Sequence, residues 1–171
     1  MKKHPGTIII VDDDEHVVFT SQMILKEYFE NIETLSSPTS LESKLKAQDV
    51  DVVLLDMNFR AGVTNGNEGI FWMNRIHTLS PNTQVVLQTA YGDISLAVKS
   101  IKEGAVDFLP KPWDKEKLVA TILSAWKLAT SRRENGDLKT KQKALQNELN
   151  SPTVSFIANA SSMTTDRKSV V

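Results

Sequence analysis

The residues that could carry chemistry stand at the ends of short apolar runs. The run Thr7–Val11 is followed by Asp12 and Asp13. The run Val52–Leu55 is followed by Asp56. Open α/β sheets place reactive groups in this way, in the crevice beyond the carboxyl ends of their strands. The sequence therefore predicts a group of carboxylates at one rim of a sheet.

Two further strand-like runs add a hydroxyl group and an amine to that rim, because Gln84–Gln88 leads into Thr89 and Val106–Leu109 leads to Lys111. Crowded carboxylates resist ionisation unless a cation balances them. Oxygen-only ligands favour Mg²⁺, which is also bound by phosphate oxygens. A hydroxyl and an ammonium group suit the oxygens of a phosphoryl group. An aspartate can accept that group as an acyl phosphate, and Asp56 is the predicted nucleophile.

The elements that must position these residues alternate between strand and helix. The predicted strands are Thr7–Val11, Ile32–Leu35, Asp51–Leu55, Gln84–Gln88 and Val106–Leu109. The predicted helices run from Asp14 to about Glu30, Ser37 to about Gln48, Glu68 to Leu79, Asp93 to Gly104, and onward from Asp114. Such alternation favours a parallel sheet with right-handed crossovers. The predicted fold class is α/β, a (βα)5 doubly wound parallel five-stranded sheet.

Helical spacing also predicts which side chains of two helices face the core. In the first helix these are Val17, Val18, Met23, Ile24 and Phe29, and in the fourth they are Ile94, Ala97, Val98 and Ile101.

Composition excludes several classes of function. The formal net charge of −1 gives no general electrostatic footprint for nucleic acid. No apolar stretch approaches the roughly 20 residues that span a bilayer, and the amino terminus does not read as a signal peptide. A cytoplasmic protein is therefore expected. The absence of cysteine excludes disulfides and thiolate metal sites, and the three histidines lack metal-ligand spacing.

The character of the chain changes after Ser131. We expect one domain over residues 1–131, a charged linker over 132–150 and a disordered tail or truncated continuation over 151–171. In the linker, Leu138, Leu145 and Leu149 could line one side of a short helix. The two interpretations of this segment, a coiled-coil helix and a solvated linker, stay open because two heptads are weak evidence.

The ordered motifs resemble the response regulator receiver domain of two-component signalling, which has a flavodoxin-like fold. The motifs that carry the resemblance are strand-Asp12-Asp13, strand-Asp56, strand-Thr89-Ala90 and Phe108-Leu109-Pro110-Lys111-Pro112, between about Thr7 and Ser131. The long last helix and its charged extension resemble the nitrogen-regulator (NtrC) type, which acts with sigma-54 through an ATPase domain and a DNA-binding domain. This chain lacks a Walker loop, so we expect either a truncated regulator or a stand-alone receiver, and favour truncation.

The resemblance implies a role for each motif residue. Asp56 is the phosphoacceptor and a ligand of Mg²⁺. Asp13 binds Mg²⁺ directly, Asp12 helps mainly through water, and the backbone carbonyl of Asn58 completes the protein ligands. Thr89 grips the phosphoryl group and Lys111 pairs with it. Lys111-Pro112 is expected to be a cis peptide.

The resemblance also implies a switch and its partners. Phe108 occupies the position of an aromatic switch that follows Thr89. The face formed by the helix from Asp93, the strand from Val106 and the helix from Asp114 then changes its partner preference, and a homodimer through this face is expected. The phosphoryl donor is a sensor histidine kinase or a phosphotransfer protein.

One segment departs from the family pattern. The loop from Asn58 to Gly69 is longer than usual, and it either slows phosphoryl hydrolysis, contacts a partner, or is a harmless insertion. Tyr91, two residues after Thr89, is expected to restrict the attacking water. Two other functions are weighed against a signalling switch. One is an aspartyl-nucleophile phosphohydrolase, which generally carries a second aspartate where this chain has Asn58, and the other is a phosphorylation-independent interaction domain.

Overall fold

A computed structural model describes residues 1–59, 66–90 and 94–151. The strands are β1 (His4–Val11), β2 (Phe29–Leu35), β3 (Val52–Asp56), β4 (Gln84–Ala90) and β5 (Asp107–Lys111). The helices are α1 (Glu15–Leu25), α2 (Leu41–Ala47), α3 (Asn67–Leu79), α4 (Ile94–Lys102) and α5 (Lys115–Leu149), and a 3₁₀ turn (Pro38–Ser40) precedes α2. The alternation of strands and helices confirms the (βα)5 prediction.

The five strands form one parallel sheet in the order β2-β1-β3-β4-β5. Side chains alternate between the faces of a strand, so each strand contributes to two cores. One core holds residues of α2, α3 and α4 and the other holds residues of α1 and α5. The strand order reverses between β1 and β3, which is where ligands bind in folds of this kind.

The first helix is shorter than predicted. It begins after Asp14, whose side chain accepts hydrogen bonds from the backbone N–H groups of His16 and Val17, but it ends at Leu25 and not near Glu30. Phe29 already belongs to β2, where it is fully buried and packs near Trp126. The apolar spacing continued across a turn into the next strand, which explains the error.

The predicted inner face of α4 was wrong. Ile94, Val98 and Ile101 are exposed, Ile94 to 79%, whereas Leu96 and Ser100 are buried. The hydroxyl of Ser100 donates a hydrogen bond to the Leu96 carbonyl at 2.6 Å. A serine that is hydrogen-bonded to its own helix can be buried at little cost. The prediction assigned only apolar residues to the inner face and therefore left Ser100 out. Met23 of α1, also predicted to face the core, is exposed as well.

The last helix is longer than the domain that it completes. Asp114 caps it by accepting a hydrogen bond from the backbone N–H of Lys117 at 2.7 Å. It continues to Leu149, so the segment 132–149 is helical, and Leu138, Leu145 and Leu149 are exposed. The chain divides into two units, Met1–Ser131 and a second that begins at Arg132. None of the helices in the described part of the chain is long and apolar enough to cross a membrane.

Candidate functional site

The polar residues at the rim share one face of the sheet. Asp56 pairs in register with Gln88 of β4, and Asp12 follows Val11, which pairs with Leu55. Alternation places the side chains of Asp12, Asp56 and Gln88 on the face of Ile10, Leu54 and Val86, the side covered by α1 and α5. Lys111 of β5 lies on that face too, because Leu109, two residues before it on the strand, packs in the same core.

Three carboxylates meet at this rim. One oxygen from each of Asp12, Asp13 and Asp56 lies within 4.8 Å of the others, with Asp12 and Asp56 buried and Asp13 exposed. Among the described residues, this is the group of side chains that could hold a metal ion. The donors are all carboxylate oxygens, which fit a hard cation such as Mg²⁺.

Lys111 balances part of this charge. Its Nζ lies 2.6 Å from Asp12 Oδ2 and 3.4 Å from Asp56 Oδ1, so it bridges the two buried carboxylates and is closer to Asp12. Burial works against the lysine charge, but its hydrogen bond to Asp12 and the charge of Asp56 outweigh burial and raise the pKa of Lys111. Lys111 is therefore a fixed cation at the rim. The Lys111-Pro112 peptide is cis, as predicted.

The acidity of Asp56 is strongly perturbed. Burial, and then the neighbouring charge of Asp12, raise the pKa of Asp56 to about 6, although Lys111 opposes both effects. Burial also raises the pKa of Asp12, against hydrogen bonds from Lys111 and from the backbone N–H of Asp14. Like charges in a poorly solvated place resist joint ionisation. A bound cation would remove that penalty.

Two further residues of the site, Gln88 and its partner Trp113, were not predicted from the sequence. Gln88 is fully buried, its Nε2 donates to Asp12 Oδ2 at 2.9 Å, and its Oε1 accepts from Trp113 Nε1 at 3.3 Å. Gln88 could have been found from the strand pattern. It is a polar residue two positions after Val86, so alternation places both side chains on the same face of the sheet. The sequence pattern predicts Gln88 only as the last residue of a strand.

The remaining predicted residues are Thr89, Phe108 and Asn58. Thr89 is buried on β4, and by alternation it lies on the other face of the sheet from Gln88. Phe108, paired with Leu87, is half-buried against the core on that same face. The Oδ1 of Asn58 accepts a hydrogen bond from the Gly66 backbone N–H at 2.9 Å.

Several predictions fall outside the described residues. These are the central part of the long loop (60–65), Tyr91, the Asp93 cap and the tail after Ser151.

The match to a known family agrees with this geometry. Residues 8–123 match the response regulator receiver domain family, so the chain belongs to that family, which acts in two-component signalling. Receiver domains interact with histidine kinases or phosphotransfer proteins and generally bind Mg²⁺ at an acidic pocket. Membership confirms the resemblance inferred from the motifs and favours a signalling domain over a phosphohydrolase.

The chain is similar to response regulators of transcriptional type. It is 31% identical over 134 residues to an NtrX-like response regulator of Rickettsia bellii, a match that covers 78% of this chain and 27% of that one. It is 28% identical over 135 residues to the response regulator TodT of Pseudomonas putida, covering 79% and 57%. The chain thus spans well under two thirds of the length of these relatives.

Solved structures show the same fold. The N-terminal signal receiver domain of a two-component response regulator from Bacteroides fragilis is 50% identical and has a TM-score of 0.65, with 72% of this chain and 98% of that chain covered. NtrX from Brucella abortus has a TM-score of 0.69 at 24% identity, with 79% and 30% covered, a likeness in fold alone.

Proposed function

We propose that the chain is a phosphorylation-controlled switch whose acceptor is Asp56. The donor is a histidine kinase or a phosphotransfer protein, and Lys111 and Thr89 bind the transferred group. Mg²⁺ is held by the carboxylates of Asp12, Asp13 and Asp56 and by the backbone carbonyl of Asn58.

The observation that carries this proposal is the bridge made by Lys111. A lysine that contacts both buried aspartates places a positive charge next to Asp56 at the rim of the sheet. A structural ion pair would need one carboxylate, whereas this rim collects three. Desolvated carboxylates with a specific charged partner are typical of functional sites.

The chemistry follows from these positions. An oxygen of the Asp56 carboxylate attacks the phosphorus of a phosphohistidine, the P–N bond breaks, and the imidazole keeps the electron pair and takes up a proton. Lys111 lies 3.4 Å from Asp56 Oδ1 and offsets charge on the phosphoryl oxygens. When bound, Mg²⁺ supplies further neutralisation of the carboxylates and the phosphoryl oxygens. Asn58 stands two residues after Asp56, and its amide cannot serve as the acid that a phosphohydrolase places there.

Two grooves beside α1 are lined in part by residues of the rim. One, of about 400 Å³, is lined by residues of α1 together with Lys111, Pro112 and Trp113. The other, of about 350 Å³, includes Asp12 and Asp13. We expect a donor side chain to approach the rim along one of these grooves.

The signal is proposed to reach the partner surface through Thr89 and Phe108, which lie on the other face of the sheet from Asp56. Thr89 moving toward the phosphoryl group would leave space for the half-buried Phe108, and this would shift the population of the surface formed by α4, β5 and α5. A homodimer through that surface and control of a transcriptional output domain outside this chain are part of the same proposal. Its support is the family and the kind of relatives found.

The test is phosphorylation by a small-molecule donor. The protein is incubated with acetyl phosphate with and without Mg²⁺, alongside the Asp56→Asn variant, and the intact mass is followed. We expect a stoichiometric adduct that needs Mg²⁺, survives acid, is lost in base, and is absent from the variant.

Two results would contradict the proposal. Absence of the adduct, and of bound beryllofluoride, at saturating Mg²⁺ would leave only a phosphorylation-independent interaction domain. Steady turnover of a phosphomonoester without a lasting adduct would instead support a hydrolase.

A further inference from the structure

Gln88 makes three hydrogen bonds at the rim, two through its side chain and one through its backbone. Its amide nitrogen donates to Asp12 Oδ2 at 2.9 Å and its amide oxygen accepts from Trp113 Nε1 at 3.3 Å. Its backbone carbonyl accepts the N–H of Met57, the residue after Asp56, at 2.9 Å. The side chain is fully buried, so its polar atoms need these partners.

The orientation of the amide is fixed by its two partners. An indole N–H is only a donor, and an ionised carboxylate is only an acceptor. Trp113 therefore holds the oxygen of the Gln88 amide, which turns the nitrogen toward Asp12. A flipped amide would place oxygen against oxygen and hydrogen against hydrogen, and both bonds would be lost.

The bond to Asp12 gains importance when Lys111 changes partners. In this structure Asp12 Oδ2 receives both Lys111 Nζ, at 2.6 Å, and the Gln88 amide. A phosphoryl group on Asp56 adds negative oxygens beside Lys111 and draws it away from Asp12. The Gln88 amide then remains as a side-chain donor on Oδ2, while the Asp14 backbone N–H holds Oδ1 at 2.9 Å.

We propose that Gln88, oriented by Trp113, is a positioning residue that keeps Asp12 in its metal-binding geometry while Lys111 passes from Asp12 to the phosphoryl group. The inference rests on the proposed function. It adds a link from Trp113, after β5, to the proposed metal ligand Asp12, through a residue that is not itself one of the proposed ligands.

The test measures Mg²⁺ binding by calorimetry and phosphorylation by acetyl phosphate over a range of Mg²⁺ concentrations. Gln88→Met keeps the length of the side chain and removes both hydrogen bonds. We expect its Mg²⁺ dissociation constant to rise about 10-fold, the lower end of the effect typical for groups that orient metal ligands. The Mg²⁺ concentration for half-maximal phosphorylation should rise with it, and the maximal rate should fall less.

Trp113→Phe keeps an aromatic side chain and removes the pyrrole part of the indole, with the N–H that orients the amide. It should weaken Mg²⁺ binding in the same direction by a smaller factor. In the Gln88→Met background it should have no further effect, because the amide that it orients is gone. This non-additivity is a signature that a general loss of packing would not produce.

Gln84→Met is the matched control. Gln84 is also a buried glutamine of β4, but it lies at the other end of the strand, where its Nε2 donates to the Asn82 carbonyl at 3.0 Å. Its replacement should lower the urea midpoint and leave Mg²⁺ affinity unchanged.

Unchanged Mg²⁺ affinity in Gln88→Met would overturn the inference, and if that variant fails to fold, unchanged affinity in Trp113→Phe would do so. An equal loss of affinity in Gln84→Met would also overturn it. Failure of the proposed function is distinguishable, since wild-type protein would then take up no phosphoryl group whatever the Mg²⁺ affinities of the variants.

Discussion

Ionisation of Asp56 works against the folded state when no cation is bound. The folded protein holds a proton on this group with a pKa of about 6, because of burial and the charge of Asp12, whereas its ordinary value is 3.8. Any proton that the folded state binds more tightly stabilises it at low pH. The contribution of Asp56 is therefore fully present below about pH 4 and is lost as the pH rises through about 6.

Asp56→Asn should accordingly raise the free energy of unfolding in Mg²⁺-free buffer at pH 7.5. The expected gain is about 2–3 kcal/mol, since the asparagine never has to ionise in the buried site. Urea unfolding of both proteins at pH 7.5 and at pH 4 measures it. The difference should shrink at pH 4, where the wild-type carboxyl is protonated in the folded state. A variant less stable than wild type at pH 7.5, or a difference independent of pH, would refute this account of Asp56.

Residues of the site differed in how well their type and position predicted a functional role. Several carboxylates and a lysine at the ends of successive strands are seldom explained by turns and helix caps alone. The grouping of Asp12, Asp13, Asp56 and Lys111 could therefore be predicted. Gln88 could not, because an amide at the end of a strand usually means only that the strand stops. Its importance comes from reaching the side chain of a residue 76 positions away, which only the fold brings close.

Among the elements, strands were easier to anticipate than the faces of helices. The apolar runs of β1, β3 and β4 are buried on both faces of the sheet, and a continuous apolar run is typical of such strands. The inner face of α4 could not be deduced, because Ser100 satisfies its hydroxyl within the helix and three apolar side chains stay outside. The end of α1 was missed because Phe29 continued the apolar spacing after the helix had stopped.

The approach of α3 to the end of β3 depends on a glycine. Gly69 lies in the first turn of α3, and its N–H donates to the Met57 carbonyl at 2.9 Å. A Cβ atom at this position would lie 2.6 Å from Met57 Cα, a backbone atom that cannot turn aside. Gly69→Ala should therefore push α3 away from the segment that follows Asp56.

We expect Gly69→Ala to lower the free energy of unfolding by about 1–3 kcal/mol, the usual cost of overpacking. It should also weaken beryllofluoride binding, because the chain after Asp56 would shift. Gly136→Ala is the matched control, since a Cβ there would meet no atom within 4 Å. Full stability and normal binding in Gly69→Ala would show that the contact is easily relieved.

In the whole chain, the proposed receiver domain ends near Ser131. The buried apolar residues of the described parts all lie at or before Ala129, and the second unit begins at Arg132. A fragment of residues 1–131 should unfold in one cooperative step with a free energy close to that of the full chain. It should also form the Asp56 adduct at the same rate. Loss of cooperativity or of phosphorylation in the fragment would place the boundary further along α5.

The central claim is that Asp56, among the carboxylates at the rim, accepts the phosphoryl group. The most direct measurement treats protein phosphorylated by acetyl phosphate with borohydride, which reduces an aspartyl phosphate to homoserine, and locates the change by tandem mass spectrometry. We predict homoserine at position 56, dependent on Mg²⁺ during phosphorylation, and unmodified Asp12 and Asp13. Homoserine at position 12 or 13, or at none of the three after Mg²⁺-saturated treatment, would contradict the account.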